Sequence, residues 1–161
     1  MKLVLDATPI IHAAKTRLHT FLPKLEVELF TTTIVSEEVL VEGFFEEKGV
    51  IEKLFEQQIK VLKSSKPLDK SRGLHAGEAS ALNLAQELGA VLVSDDRVAR
   101  TVAKAKGIPV VHSTFLVFRA LEKKAITRLK AEELVQELIE SGWWCDAETL
   151  ARVYNAIRKY D

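Results

Sequence analysis

Residues 77–97, GEASALNLAQELGAVLVSDDR, decide the fold predicted for this chain. The segment 75–88 is rich in helix formers, and Gly89 stands where a helix would end. The next four residues, AVLV at 90–93, form a short apolar run typical of a buried strand. A serine and two aspartates follow this run directly. The stretch therefore predicts a helix that leads into a buried strand, with carboxylates at the carboxyl end of that strand.

The same alternation extends through the rest of the chain. The predicted strands lie at 2–5, 27–30, 59–62, 90–93 and 108–111. The predicted helices lie at 9–15, 33–46, 50–57, 75–88, 95–106, 113–124, 131–141 and 146–159. Thr8, just before a proline, and Ser113 are the expected caps of two of them. This order predicts an α/β protein, a three-layer α/β/α fold with a mostly parallel central sheet. We expect residues 1–126 to form this domain and residues 127–161 to form a C-terminal helical extension packed on it.

The composition is that of one globular domain. The chain has 161 residues, of which 47% are hydrophobic and 29% charged, with Cys145 as its one cysteine. A single cysteine excludes an internal disulfide framework and a multi-cysteine zinc site. No apolar run is long enough to span a membrane, and the opening MKLVLDATPIIHAAK is typical of a first strand rather than a signal peptide. We therefore expect a cytoplasmic protein without a membrane partner.

The formal net charge is zero, but the charge is unevenly distributed. Residues 60–72 carry five basic residues and one acid, and residues 97–130 carry nine basic residues and one acid. Two basic blocks in a neutral protein can line a groove for a polyanion such as a nucleic acid. The alternative interpretation is that these lysines and arginines only solvate helix faces.

Carboxylates occur where the predicted strands end. Asp6 follows the first strand, and Asp95 and Asp96 follow the fourth, so these acids are expected at the same edge of the sheet. Glu78 lies in the first turn of the helix before the fourth strand, where the helix N-terminus by itself would stabilise an acid. Glu38 lies on or near the inward side of the helix after the second strand. The pattern predicts that several carboxylates converge.

Convergence of this kind predicts a divalent metal site. Carboxylates that are brought together repel one another, and their pKa values rise unless a cation neutralises them. Mg²⁺ and Mn²⁺ prefer such oxygen ligands. The four histidines are scattered and offer no pair at zinc-ligand spacing. His75, three residues before Glu78, is expected to be a surface or helix-capping residue.

Three segments resemble the PIN-domain nucleases. LVLDATPII at 3–11 is similar to the first strand, Asp-x-Thr and apolar helix of that family. TTTIVSEEVLVEG at 31–43 is similar to the segment that carries its second acid, here Glu38. In the quoted stretch the third acid, Glu78, opens a helix, and the fourth, Asp96, follows a strand 18 residues later. This last spacing is the most diagnostic part of the resemblance.

Further features resemble a prokaryotic subgroup of this family. The subgroup has Gly-Glu at the third acidic position, as in Gly77-Glu78, and paired aspartates followed by an arginine. SGWWCDAETLARVY at 141–154 is similar to its C-terminal helical pair with an aromatic between the helices. The segment HSTFLVF at 112–118 departs from the pattern, because it lacks a glycine two residues after Thr114.

The resemblance implies a metal-dependent ribonuclease, in some members the toxin of a toxin–antitoxin pair. Its products would carry a 5′-phosphate and a 3′-hydroxyl. Four acids would be catalytic and would hold Mg²⁺ or Mn²⁺: Asp6, Glu38, Glu78 and Asp96. Asp95 is either a fifth metal ligand, an acid that supports the ligands, or a helix cap. Thr8 would orient a ligand or a water molecule, and Thr114 would support the site.

The partners implied are RNA, an antitoxin protein and a second copy of the chain in a homodimer. Six basic residues are candidates for contact with RNA phosphates: Arg97, Arg100, Lys63, Lys66, Lys70 and Arg72. The alternative function is a non-catalytic module on the same fold that binds nucleic acid or another protein. Metal-dependent cleavage would distinguish the two functions.

Rival classes with acids at strand ends fit less well. A phosphotransfer receiver domain needs an acid pair after the first strand, whereas Asp6 stands alone there and the acid pair comes late. A haloacid-dehalogenase-like phosphatase needs a second aspartate two residues after the first, where this chain has Thr8. The glycine-rich motifs of nucleotide-binding loops do not occur in the sequence. The nuclease interpretation is therefore preferred.

Overall fold

The computed structural model describes residues 1–42, 46–68 and 73–160. Five strands within these ranges form one parallel sheet. Its strands are β1 (Lys2–Leu5), β2 (Glu28–Thr32), β3 (Ile59–Leu62), β4 (Val91–Val93) and β5 (Val110–Val111). The strand order is β3-β2-β1-β4-β5, and every neighbouring pair is parallel. The predicted α/β fold with a parallel central sheet is confirmed.

The strands lie where the apolar runs predict them because both faces of the sheet are covered. Leu3, Val4 and Leu5 are consecutive in β1, point to alternating faces, and are all fully buried. A strand buried on both faces is a continuous apolar run rather than an alternating one. Both faces of the sheet are therefore covered, and α4 packs directly against β1, β2 and β4.

The helices confirm the predicted order, with shifts at their ends. They are α1 (Ala7–Lys15), α2 (Thr33–Glu42), α3 (Lys48–Gln57), α4 (Ala76–Leu88), α5 (Arg97–Ala105), α6 (Thr114–Glu122), α7 (Arg128–Glu140) and α8 (Ala147–Ile157). Short 3₁₀ turns at Arg17–Thr20 and Leu22–Lys24 were not predicted. Residues 43–45, in the predicted helix 33–46, lie outside the described residues. Within the described ranges, no helix has the length and apolarity needed to cross a membrane.

Two predicted helix caps are wrong. Asp6 caps α1, since its side chain accepts a hydrogen bond from Ala7 N, and Thr8 already lies inside the first turn. Ser113 precedes α6 without capping it, because its hydroxyl donates instead to the carboxylate of Asp95. At α1 the neighbouring acid Asp6 replaces the predicted cap. At α6 a long-range contact with Asp95 occupies the Ser113 hydroxyl that was expected to cap the helix.

The chain changes direction across the sheet between β1 and β4. The first three strands follow one another outward, and the chain then returns to place β4 beside β1. In an open parallel sheet, such a switch point creates a crevice at the carboxyl ends of the two neighbouring strands. Asp6 N donates to Val93 O at 3.0 Å, so the residues that follow β1 and β4 meet at this crevice.

The C-terminal helices pack on the same core. One side of α7, including Leu134 and Leu138, is fully buried. The side chains of His12 in α1 and Ser141 after α7 share a hydrogen bond of 2.8 Å. Trp143 is 3% exposed, whereas its neighbour Trp144 is 82% exposed. The two tryptophans therefore have different roles, one in the core and one at the surface.

Gly89 ends α4 and directs the chain into β4. Its φ is +59° and its ψ is 37°, the left-handed conformation, and its N–H bonds back to the last turn of the helix. A side chain in this conformation costs roughly 1 kcal/mol or more, whereas glycine adopts it freely. Gly89 thus places β4, and with it the acids that follow β4.

We expect Gly89→Ala to lower the free energy of unfolding by about 1 kcal/mol, because alanine strains the left-handed backbone. Gly89→Asn is expected to lower it less, since asparagine tolerates this conformation better. Urea denaturation followed by circular dichroism measures both. Equal stability of the wild type and Gly89→Ala would contradict the assignment.

Candidate active site

Asp6 lies at the centre of the crevice between β1 and β4. It is 5% exposed. Ala7 N donates to its Oδ1 at 2.9 Å, and Ser94 Oγ donates to its Oδ2 at 2.8 Å. The end of one strand thus supplies the carboxylate, and the end of the neighbouring strand orients it.

Asp96 follows β4 and begins α5. Its Oδ1 accepts a hydrogen bond from Ala99 N at 2.8 Å, so Asp96 is the N-cap of this helix. Its own N–H donates to Ser94 Oγ at 3.3 Å. The Ser94 hydroxyl therefore links Asp6 to Asp96.

Ser94 was not among the residues predicted for the site. It is fully buried, although it follows directly on an apolar strand. A polar residue buried at the end of a strand, two positions before a helix cap, is the signal that could have identified it. Ser94 has Asp6 as its partner because β1 pairs with β4, and this pairing brings together residues that are far apart in the sequence.

Glu78 lies in the first turn of α4. His75, at the N-cap position, donates its backbone N–H to Glu78 Oε2 at 3.0 Å. This confirms that His75 is an exposed residue at the helix start. The bond holds the Glu78 carboxylate beside the helix N-terminus.

Glu38 reaches the site because Gly77 has no side chain. A Cβ placed on Gly77 would lie 2.2 Å from Glu38 Oε2, far inside van der Waals contact, whereas Val35 Cγ2 would be 3.5 Å away. Helices α2 and α4 therefore approach each other closely at this point, and the carboxylate of Glu38 fills the space over the glycine. The Gly77-Glu78 pair thus serves both acids: one residue makes room, and the next contributes a carboxylate.

The charges of these acids act on one another. The pKa of Asp6 is raised to about 6, chiefly by burial and also by the negative charges of Glu78 and Glu38, against the opposing bonds from Ser94 and Ala7. Burial also raises the pKa of Glu78, and the charge of Asp96 adds to the effect. Mutual repulsion of this kind requires proximity, so these acids form one electronegative site at the carboxyl edge of the sheet.

Asp95 has a different environment from Asp96. Ser113 N donates to its Oδ1 at 2.9 Å, and the Ser113 hydroxyl donates to its Oδ2. Trp143 Nε1 donates to the same Oδ1 at 3.2 Å, and His112 Nδ1 lies 3.4 Å from it. Burial opposes ionisation, but the interactions with His112 and Ser113 outweigh it and lower the pKa of Asp95.

The expectation that Asp95 caps a helix is therefore wrong, because Asp96 occupies that position. The donors from Ser113 and Trp143 already stabilise its ionised form, so Asp95 does not need a cation for that purpose. Its contacts tie the end of β4 to the start of α6 and to the segment after α7.

The two predicted supporting threonines lie near this edge. Thr8 is exposed in the first turn of α1, two residues from Asp6. Thr114 is buried as the first residue of α6, and Ser113 rather than Thr114 makes the contact with Asp95.

Four of the six predicted basic residues lie in the part of the chain that the structure describes. Arg97 is exposed at the first position of α5. Arg100 is half-buried, and its Nη1 donates to Ser94 O at 3.3 Å. Lys63 and Lys66 lie at a cavity beyond β2 and β3. Lys70 and Arg72 lie outside the described residues.

The four acids have the donor chemistry that a divalent cation needs. They supply oxygen ligands from the ends of β1 and β4 and from α2 and α4, and two of them have pKa values that a cation would lower again. In the described part of the chain, however, no three His, Cys, Asp or Glu side chains form a ready-made metal-binding group.

An all-parallel α/β sheet with an acidic site at its switch point defines the class of protein. A family model described as a PIN domain, DUF3368, matches residues 2–159, and the chain belongs to this PIN-domain family. PIN domains are generally nucleases that use divalent metals and bind nucleic acids. No curated protein matches the chain.

A solved structure shows a similar fold. It is a PilT N-terminus domain protein from the hyperthermophilic archaeon Sulfolobus solfataricus P2, with a TM-score of 0.55 and 21% sequence identity. The match covers 76% of this chain and 95% of that one. At this level of identity the likeness concerns the fold alone.

In the presence of EDTA, which removes divalent cations, Asp6 should make the protein less stable as the pH rises. Below pH 3.8 its carboxyl is protonated in both the folded and unfolded states; between 3.8 and about 6 it ionises only when the chain unfolds. Ionisation in the unfolded state favours unfolding. The free energy of unfolding of the wild type should therefore fall by about 1–3 kcal/mol relative to that of Asp6→Asn over this range. Urea denaturation at a series of pH values measures the difference.

Asp95→Asn is the matched control, with the opposite sign. The pKa of Asp95 is lowered, so its contribution to stability is present above the unfolded value of 3.8 and is lost as the pH falls below it. Wild type should be more stable than Asp95→Asn at neutral pH, with the gap closing in acid. The same pH trend for both variants would contradict the different environments of the two acids.

Proposed function

We propose that this PIN domain is a metal-dependent endoribonuclease. The observation that carries the proposal is the raised pKa of Asp6, which is buried at the switch point with Glu38 and Glu78 as charged neighbours. Buried or half-buried carboxylates that raise one another's pKa are typical of sites that bind a cation and act on a substrate. The positive charge of Mg²⁺ or Mn²⁺ would also attract the phosphate of an RNA backbone.

Asp6, Glu38, Glu78 and Asp96 would hold the cation. When bound, the metal would lower the pKa of a water molecule and stabilise charge on the scissile phosphate. Ser94 would orient the Asp6 carboxylate through its hydroxyl, which also accepts a hydrogen bond from the backbone N–H of Asp96. Thr8, exposed beside Asp6, is available to orient a water or a phosphate oxygen.

Arg97 would bind RNA phosphate. Its exposed side chain begins α5, directly after Asp96. Arg100 would be held beside the site, since its guanidinium donates a hydrogen bond to the Ser94 carbonyl. Asp95 would position the site by holding Ser113 and Trp143, rather than bind the cation.

The role of a toxin, with an antitoxin protein as partner, is part of the same proposal, as is a homodimer. Two large apolar side chains on the C-terminal helical segment are available to a protein partner, Trp144 at 82% exposure and Leu129 at 73%. The division into residues 1–126 and a C-terminal extension, 127–161, likewise remains a proposal.

One observation favours a second function, a non-catalytic nucleic-acid-binding or protein-interaction module. The described acids, although close enough to repel one another, do not form a preassembled metal-binding group. In the catalytic case, cation binding would draw the flexible side chains of Glu38 and Glu78 towards Asp6. In the non-catalytic case, RNA or a protein would bind without hydrolysis.

Cleavage of a mixed RNA pool tests the catalytic proposal. The wild type is expected to cleave with Mn²⁺ or Mg²⁺ and to lose activity in EDTA. Asp6→Asn should reduce cleavage by about 100-fold or more, because a central ligand is lost. Glu37→Gln is the matched control: Glu37 is exposed on the same helix as Glu38, and its loss should leave the rate unchanged.

Cleavage that persists in Asp6→Asn would indicate a contaminating nuclease and would contradict the proposal. If the wild type binds RNA but never cleaves it, and calorimetry detects no Mn²⁺ binding, the non-catalytic module is the correct function.

Gly77→Ala should separate stability from activity. The added methyl group would displace the Glu38 carboxylate, which is the flexible end of a long side chain. We expect the free energy of unfolding to change by less than about 1 kcal/mol, and the cleavage rate to fall by about 10- to 100-fold through misplacement of a ligand.

Gly49→Ala is the control for this variant. Gly49 also lies in a helix, and a Cβ built on it meets no atom within 4 Å. It should leave the cleavage rate unchanged. Full activity in Gly77→Ala would show that Glu38 does not need its place over the glycine.

A further inference from the structure

A groove with a volume of about 560 Å³ lies where α6 ends and α7 begins. Its apolar lining includes Leu121, Ile126 and Leu129, and its cations are Lys124 and Arg128. Leu121 is buried, whereas Leu129 is 73% exposed. The groove therefore offers a buried apolar residue and an exposed one beside two positive charges.

This groove and the candidate active site lie at opposite edges of the sheet. Helix α6 begins just after β5, where Ser113 contacts the acids at the carboxyl edge. The other end of α6 lies beside the residues that precede β2. There Arg119 Nε donates to Leu25 O at 3.0 Å, and the side chain of Lys123 bonds to that of Glu26. We therefore call this surface the amino-edge groove.

Local hydrogen bonds fix the shape of the amino-edge groove. The chain leaves α6 through Lys124, whose φ of +55° is left-handed, and Ala125 N donates back to Ala120 O at 2.9 Å. Thr127 caps α7, since its Oγ1 accepts a hydrogen bond from Lys130 N at 3.2 Å. The groove is therefore formed before any partner binds, which reduces the entropy cost of binding.

The two cations of the groove have no carboxylate partner among the residues that the structure describes. Arg128 Nη1 donates instead to a neutral group, Arg158 O, at 3.3 Å. The carboxylates of the surrounding elements are already paired with other cations. These pairs are Glu122 with Arg119, Glu26 with Lys123, Glu133 with Lys130 and Arg17, and Glu132 with Arg158. The groove thus keeps two positive charges that its surroundings do not offset.

The lining of the groove favours a protein segment over a nucleic acid. Sites for unpaired nucleic acid combine positive charge with aromatic rings on which bases stack. The side chains that line this groove are aliphatic, hydroxyl-bearing or basic. An exposed aliphatic residue with a charged rim is typical of a surface that binds another protein. Charge complementarity then requires acidic residues on the partner.

We propose that the amino-edge groove binds an acidic protein segment, with an apolar side chain of that segment against Leu121 and Leu129. Its carboxylates would lie at Lys124 and Arg128. The volume of about 560 Å³ is within the range of pockets that enclose a ligand. The inference rests on the proposed function only in that it gives the chemistry of a protein partner, and it does not involve RNA cleavage. A segment bound there would leave the carboxyl edge of the sheet open to RNA.

Selection from a library of random peptides displayed on phage supplies the probe. The full-length wild type is the target, and Leu129→Ser is used to remove peptides that bind elsewhere. The enriched peptides should carry an apolar residue flanked by aspartate or glutamate. Enrichment of neutral or basic peptides, or of none that distinguish the two proteins, would overturn the proposal.

One enriched peptide, synthesised with a fluorescent label, is then titrated with the protein and followed by anisotropy. Lys124→Gln and Arg128→Gln should each raise its Kd about 2- to 5-fold and weaken the salt dependence, as for the loss of an exposed ion pair. Leu129→Ser should raise the Kd about 10-fold or more, because apolar contact is lost. Circular dichroism checks that each variant is folded.

The controls make similar changes outside the groove. Lys104→Gln removes an exposed cation from α5, and Val41→Ser removes an exposed apolar side chain from α2. Both should leave the Kd unchanged. Equal effects of Lys104→Gln and Lys124→Gln would contradict the proposal, because overall charge rather than the groove would then explain binding.

Competition with single-stranded RNA of mixed sequence tests the other class of ligand. RNA should not displace the peptide. Displacement by RNA that Lys124→Gln and Arg128→Gln weaken would assign the groove to nucleic acid and overturn the proposal. Failure of the ribonuclease function is a separate result: the wild type would not cleave RNA with any divalent metal, whereas peptide binding would be unchanged.

Discussion

The arrangement of this protein depends on one constraint: a buried carboxylate, Asp6, lies where the direction of the sheet changes. Because β4 pairs with β1 out of sequence order, the residues that follow these strands meet, and Ser94 bonds to Asp6. Two bonds from the protein do not offset the burial of this charge and the repulsion of its neighbours. Under the proposed function, a cation bound in the crevice would offset the remaining imbalance.

The same edge of the sheet contains an acid with the opposite character. Asp95 is adjacent to Asp96 in sequence, but donors from Ser113 and Trp143 surround it and its pKa is lowered. The contrast indicates a division of labour. Donors stabilise the charge of Asp95, whereas burial and neighbouring carboxylates raise the pKa values of Asp6 and Glu78. The C-terminal segment is thereby tied to the candidate active site, since Trp143 donates to Asp95.

Close helix packing serves the same edge twice. Gly77 lets the Glu38 carboxylate lie against the backbone of α4, and the other side of that turn forms a wall of the cavity beyond β2 and β3 through Ser80. A displacement of α4 would therefore change the acidic site and that cavity together.

The sequence by itself determined the strands, the helix order and the edge at which the acids lie, because buried parallel strands are continuous apolar runs and their carboxyl ends coincide. It also indicated the family, because the stretch with Glu78 and Asp96 resembles PIN domains, and the family model that matches residues 2–159 confirms this. Only the tertiary structure decided the surroundings of each acid. The partners of Asp95 lie 18 and 48 positions away, and Ser94 and Asp6 are 88 positions apart. Whether a carboxylate is neutralised by donors or left against other carboxylates depends on such long-range contacts, which no local pattern of residues encodes.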